Sequence, residues 1–163
     1  MSFGLSPLRL ARAAAVLAVV SLPAAAADHD EAGRAAFEAN CAVCHQASGA
    51  GNPALAPPLL SYPARYAAST EGRRQLALTL LYGLFGDVVV EDKHYNFKMP
   101  SFAAQLDDDT IAQTLNYVVF DLAQAPPALA RFTAADVAAE RAQPLSGAQV
   151  RAHRATVLQT LGL

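Results

Sequence analysis

The apolar positions change their spacing several times along the chain, and each change marks an element. Residues 13–27, AAAVLAVVSLPAAAA, form an apolar run with no periodicity, preceded by Arg9 and Arg12. A basic start, a short apolar run and small residues at Ala25 and Ala27 predict a secretory signal peptide over residues 1–27, cut after Ala27. The run contains Pro23 and is shorter than the roughly 20 residues a membrane-spanning helix needs, so no lasting membrane insertion is expected after cleavage. Residues 30–45 then read as a helix. So do residues 71–85, EGRRQLALTLLYGLF, which end near Gly83. Between Gly86 and Met99 the pattern VVV-EDKH-YNF admits a small hairpin, although its turn residues are weak. Ile111, Leu115, Val118 and Leu122 recur at helical spacing and put one apolar stripe on residues 108–123. Asp107 is a good N-cap for that helix, and Asp108 and Asp109 suit its positive end.

Past the linker AQAPPA the chain carries two similar starts. Phe132-Thr133 precedes Asp136-Val137, and Leu145-Ser146 precedes Gln149-Val150. Each fits a capping box with a hydrophobic staple, which predicts two short helices in residues 124–163. This tail either packs on the preceding domain or serves to dock a partner. The expected organisation is therefore a signal peptide at 1–27, a helical domain at 28–123 and a helical extension at 124–163.

Charge narrows the partners. The chain of 163 residues has a formal net charge of −2, and residues 28–163 hold ten basic against fourteen acidic residues, a net charge of −4. A mildly acidic chain lacks the basic footprint of a nucleic-acid binder. Arg65, Arg73, Arg74, Lys93 and Lys98 line a docking rim, offset the carboxylates of a bound cofactor, or form an ordinary solvated face.

The two cysteines carry the chemistry. They stand in CAVCH as Cys41 and Cys44, with His45 following at once. A structural zinc site needs four ligands, and no second cysteine or paired histidine spacing completes one. A redox dithiol belongs beside a βαβ pattern, and these surroundings read as helices. A disulfide closing so small a loop stabilises little. On one helical turn, cysteines at i and i+3 face the same way and reach two vinyl groups of one haem. The next residue then offers its imidazole to the iron, which is the c-type attachment signature C-x-x-C-H.

A second axial ligand is sought further along. Beyond residue 27 the chain has one methionine, Met99, in YNFKMPSF. A lone methionine is often core filler. Here Pro100 favours an extended backbone at Met99, and Lys98 and Ser101 replace an apolar face. His/Met coordination is a known haem ligand set that raises the reduction potential. His94 and His153 are the competing ligands.

The chain resembles a class I c-type cytochrome. The resemblance rests on Gly33-x-x-x-Phe37-x-x-x-Cys41, CAVCH, Pro57 and Leu59 in APPLL, Met99-Pro100-Ser101-Phe102, and Leu106-Asp107-Asp108 with Ile111 through Tyr117. It covers roughly residues 30–122, with Asp107 in place of the family's usual serine and Thr114 where an apolar residue is common. It implies an all-α cytochrome c fold around one covalently attached haem c, with His45 and Met99 on the iron. It also implies that the Pro57 carbonyl receives the His45 ring N–H, and that the 108–123 stripe crosses the first helix near Gly33 and Phe37. The expected function is a periplasmic carrier shuttling single electrons between redox proteins, without catalysis of its own. A dedicated cytochrome subunit of a dehydrogenase or oxidase is the same chemistry in another partnership. The alternative is a haem enzyme or ligand sensor in which Met99 leaves the iron.

Overall fold

A computed structural model describes Met1 and residues 24–163, so nearly all of the expected signal peptide lies outside the described residues. Seven α-helices and one hairpin make up the described fold. In chain order they are α1 (Ala24–Asn40), α2 (Ala42–His45), α3 (Tyr62–Ala67), α4 (Thr70–Tyr82), β1 (Val88–Val90), β2 (Lys93–Tyr95), α5 (Asp108–Asn116), α6 (Ala134–Arg141) and α7 (Gly147–Leu161). A π-helical segment, Tyr117–Leu122, continues α5. The expected helix of 30–45 is thus longer at its start and broken at Cys41. Alanine, the best helix former, carries α1 back to Ala24.

The frame is the crossing of α1 over α5. A Cβ on Gly33 would run into the Gln113 carbonyl and stand 3.2 Å from Tyr117 Cβ, so only glycine lets the helices approach this closely. Phe37 packs on Tyr117 beside the crossing, ring centroids 5.4 Å apart and planes at 53°. Asp107 caps α5 by accepting from the Thr110 amide at 2.8 Å. The expected single helix over 108–123 opens into a π turn at its end, which brings both Val118 and Val119 inside. Ile111, Leu115 and Val119 are fully buried, and Leu122 rests against the loop at Gly49.

Helix α4 starts at Ser69, whose hydroxyl accepts from the Gly72 amide at 3.0 Å, and stops at Gly83 with φ 74°. The hairpin forms, with Val88 opposite Tyr95 and Val90 opposite Lys93. Its two-residue turn, Glu91-Asp92, has φ of 51° and 60°. Two positive φ values are the type I′ geometry that asparagine and glycine favour, so the hairpin stands on Val88, Val90 and Tyr95 burying together.

The tail packs on this frame. Both capping boxes are present, at Thr133 with Asp136 and at Ser146 with Gln149. Phe132, Val137, Val150 and Val157 are buried against α4 and α5. Helix α7, at 15 residues, is not the short helix expected. Asn116 exchanges two hydrogen bonds with the Phe132 backbone, at 2.7 and 3.0 Å, which fastens the linker to the end of α5. Arg73 donates to the Ala130 and Arg131 carbonyls at 2.6 and 3.2 Å, and its guanidinium lies 3.9 Å from the Phe132 ring centre. Arg74 pairs with Glu140 at 3.0 Å. Both arginines therefore hold the extension instead of a docking rim or a solvated face; Arg65 and Lys93 are exposed. Among the described residues, no helix is long and apolar enough to cross a membrane.

Candidate functional site

The segment after α1 turns once more as α2. Cys41 closes α1 by donating to the Phe37 carbonyl at 2.8 Å, and its own carbonyl accepts from Cys44 and His45 at 3.1 and 2.9 Å. That single turn puts Cys41, Cys44 and His45 on the wall of one cavity. Burial, and then the neighbouring Cys44 sulfur, push the Cys41 thiol up to about 11, so Cys41 presents its sulfur in the neutral form.

The loop that follows aims His45. Gly51, at φ 74°, donates to the His45 carbonyl at 2.9 Å, and a Cβ there would stand 2.6 Å from the Ala56 carbonyl oxygen. This tight return brings the Pro57 carbonyl oxygen to 2.9 Å from His45 Nδ1. A carbonyl only accepts, so Nδ1 carries the proton and Nε2 keeps its lone pair. Burial lowers the pKa of His45, with the Pro57 bond opposing, and the ring stays neutral as metal ligation requires.

Met99 arrives from the other half of the chain. Its backbone pairs with Leu84 through hydrogen bonds of 3.0 and 3.2 Å, just after the end of α4. Ser101 donates to the Leu81 carbonyl at 2.5 Å and Phe102 to Leu80 at 3.0 Å, so the Met99-Pro100 loop is tied down on both sides. Met99 is half-buried and lines the same cavity as His45. Neither competing histidine does. His94 is exposed and bonded to Asp87 at 3.0 Å, and His153 lies between Gln75 and Glu71 at 2.6 and 3.0 Å.

The cavity, of about 290 Å³, is mostly apolar, with Leu76, Leu80, Leu115 and Val118 among its walls. Val43, 83% exposed, and Phe97, 53% exposed, also line it. Thr114, which stands where an apolar residue is common, is 1% exposed and satisfied by donating to the Thr110 carbonyl at 2.8 Å. Lys98 sits 4.8 Å from the Phe85 ring centre and reaches the cavity wall.

Two polar residues of the cavity escape a reading of the sequence. Tyr66 and Arg154 are both buried and both line it. The signal for Arg154 is a charge set on an apolar stripe, between the buried Val150 and Val157.

Two thiols one turn apart, a neutral imidazole and a thioether on the walls of one apolar cavity are the donor set of a c-type haem protein. The cytochrome c family model matches residues 31–119. Two relatives named cytochrome c-552, from Thermus thermophilus and from a named strain of that species, are each 41% identical over 126 residues. Those alignments cover 76% of this chain and 95% and 84% of the relatives. The chain belongs to the cytochrome c family: it is an electron-transfer haem protein, all-α apart from one hairpin. Its cofactor is haem c, bound covalently through the C-x-x-C-H cysteines, and the cavity fits an apolar macrocycle.

Proposed function

We propose that the protein is an exported, periplasmic carrier that passes single electrons between redox proteins, with His45 and Met99 as axial ligands. One observation carries this reading. His45, with Nδ1 committed to Pro57, and Met99, tied to Leu84, line one cavity from opposite halves of the sequence. Haem, once bound, supplies the Fe(II)/Fe(III) couple. Cys41 and Cys44 hold it to the chain, and Nε2 of His45 and the Met99 thioether are the two donors. Two protein donors would leave no position for substrate, and the leucine- and valine-lined wall would give the haem an apolar bed. No side chain has to move a proton, so the chain's part is orientation and electronic tuning. Mature residues begin at Asp28 in this reading, which N-terminal sequencing of a periplasmic fraction checks.

The test is optical. The oxidised protein is expected to show the methionine–iron charge-transfer band, and Met99→Ala to lose it. The reduced protein is expected to be inert to carbon monoxide at neutral pH. Absence of the band in the wild type, or rapid carbon monoxide binding, sinks the carrier reading in favour of a haem enzyme or sensor.

A further inference from the structure

Gln75 of α4 puts a primary amide on the cavity wall, and the residue is only 1% exposed. The orientation of that amide follows from a proton count. The single hydroxyl proton of Thr79 goes to the Gln75 backbone carbonyl at 2.8 Å, so Thr79 Oγ1 accepts from the amide nitrogen at 2.9 Å. The amide oxygen is thereby turned to His153 Nδ1 of α7, 2.6 Å away. An amide oxygen only accepts, so Nδ1 carries a proton. On the other side of the ring, Nε2 stands 3.0 Å from the Glu71 carboxylate, which when ionised also only accepts. Both ring nitrogens face acceptors. Only the imidazolium has two N–H groups to give them.

The ring has little water to fall back on, since its side chain is 16% exposed. Loss of either proton would set a lone pair against an acceptor. The other end of this chain of bonds is at the cavity, because Thr79 lines it together with Gln75. A positive charge on His153 is therefore separated from the cavity by one buried amide, with no charged side chain between them. The walls there are mostly apolar, and charges at such a distance interact with little screening. Haem iron gains one positive charge on oxidation. A cation on His153 opposes that gain and favours the reduced iron.

We propose that His153 is a proton site coupled to the haem across Gln75, binding its proton more tightly when the iron is Fe(II) than when it is Fe(III). The proposal rests on the carrier reading above, and it gives the C-terminal extension a task beyond packing. In molecules whose ring is neutral, reduction takes one electron from the donor protein and one proton from solvent onto the ring. Oxidation returns the electron to the acceptor protein and the proton to solvent. The coupling is reciprocal: if the iron's charge changes the proton affinity of His153, the proton changes the reduction potential by the same free energy. His153 is a tuning residue and touches no reacting atom. Its charged neighbours are Glu71 and Arg74 on α4, with Arg74 held 3.0 Å from Glu140 of α6. Arg151 and Arg154 flank it on α7, and α3, which also packs on α7, carries Tyr62 and Tyr66. Of these side chains, only a histidine ordinarily changes charge between about pH 5 and pH 8.

The experiment is a redox titration of the holoprotein between about pH 5 and pH 8, the range in which histidine changes charge. Mass spectrometry and the methionine band establish that each variant keeps its haem and its axial ligation. The wild-type potential is expected to fall as pH rises through this range, since losing the proton removes a positive charge that favours Fe(II). His153→Gln is expected to be flat at the level of the alkaline wild type. His153→Arg, which keeps a charge that cannot titrate, is expected to be flat at the level of the acid wild type. The chain's other histidines apart from His45 are removed in His29→Gln/His94→Gln, which is expected to keep the step. Nuclear magnetic resonance of the His153 ring in the two oxidation states is expected to show a proton affinity at least about fivefold higher with Fe(II), the low end of measured couplings between sites. Equal proton affinity in the two states overturns the proposal and leaves the carrier reading standing. So does a step that survives in His153→Gln or vanishes in His29→Gln/His94→Gln. Absence of the methionine band in the wild type is the separate failure of the ligation, and the proton affinity of the ring still decides the proposal there.

Discussion

The Gln113 carbonyl of α5 lies directly over Gly33 of α1, so close that a Cβ on Gly33 would stand 2.9 Å from the carbonyl carbon. Two effects compete if an alanine is put there. Helix propensity favours alanine over glycine by about 1 kcal/mol. Overpacking against a rigid backbone costs about 1–3 kcal/mol or more, because here no side chain can swing aside.

Overpacking is expected to win. Gly33→Ala should lower the unfolding free energy by a net of up to ~2 kcal/mol, read as a lower urea midpoint with an unchanged m-value. A gain in stability would show that α1 and α5 are free to separate. The crossing would then not be what holds Phe37 and Tyr117 behind the haem cavity.

Arg141 ties the tail to the start of α5. Its Nε donates to Asp108 at 2.7 Å, and its other nitrogens to the Ala103 and Leu106 carbonyls at 2.5 and 2.9 Å. Both members of the ion pair are 28% exposed, so this is a partly desolvated fork and not a surface pair. Hydrogen bonds to charged groups are worth about 1.5–3 kcal/mol, and truncation leaves two carbonyls unpartnered. Arg141→Ala is expected to cost about 2–4 kcal/mol in urea unfolding and to expose the 124–163 segment to limited proteolysis. Unfolding at the wild-type midpoint would refute the clamp.

Asp107 gives a pH signature. Its carboxylate accepts bonds from Thr110, from the side chain first and then the backbone amide, and these hold its pKa below the usual value. A depressed folded-state pKa contributes stability above the unfolded value of about 3.9. That contribution disappears as pH falls through the folded pKa. Asp107→Ala should therefore melt below the wild type at neutral pH, and the gap should close as acidification passes below the usual carboxylate range. Asp107→Asn, a neutral cap of similar quality, should keep most of the melting temperature and lose the pH dependence. A gap that persists at low pH would show that the cap does not act through the charged carboxylate.

Much of this protein is legible before any coordinates. C-x-x-C-H names a chemistry because two sulfurs and an imidazole within five residues are placed by one helical turn, a local geometry. Capping boxes at Thr133 and Ser146 are equally local and are present as read. The stripe on α5 tells which face is buried, and Gly33 tells where a helix comes close. The hairpin is the reverse case. Glu91-Asp92 is a poor turn, and the strands pair because their valines and Tyr95 pack together, a tertiary override that no local window contains.

The sequence by itself determined the family, the covalent haem attachment and the candidates for its iron, since these depend on residue types at short spacing. Only the tertiary structure decided which of them share a cavity: Met99 with His45, and neither His94 nor His153. It also turned Arg73 and Arg74 from surface charges into fastenings of the extension, and placed Arg154 beside Tyr66. The physical reason is range. A turn, a cap or a haem-attachment motif is set by a few neighbouring residues, whereas a buried arginine acquires its meaning from a partner 88 positions away in the chain.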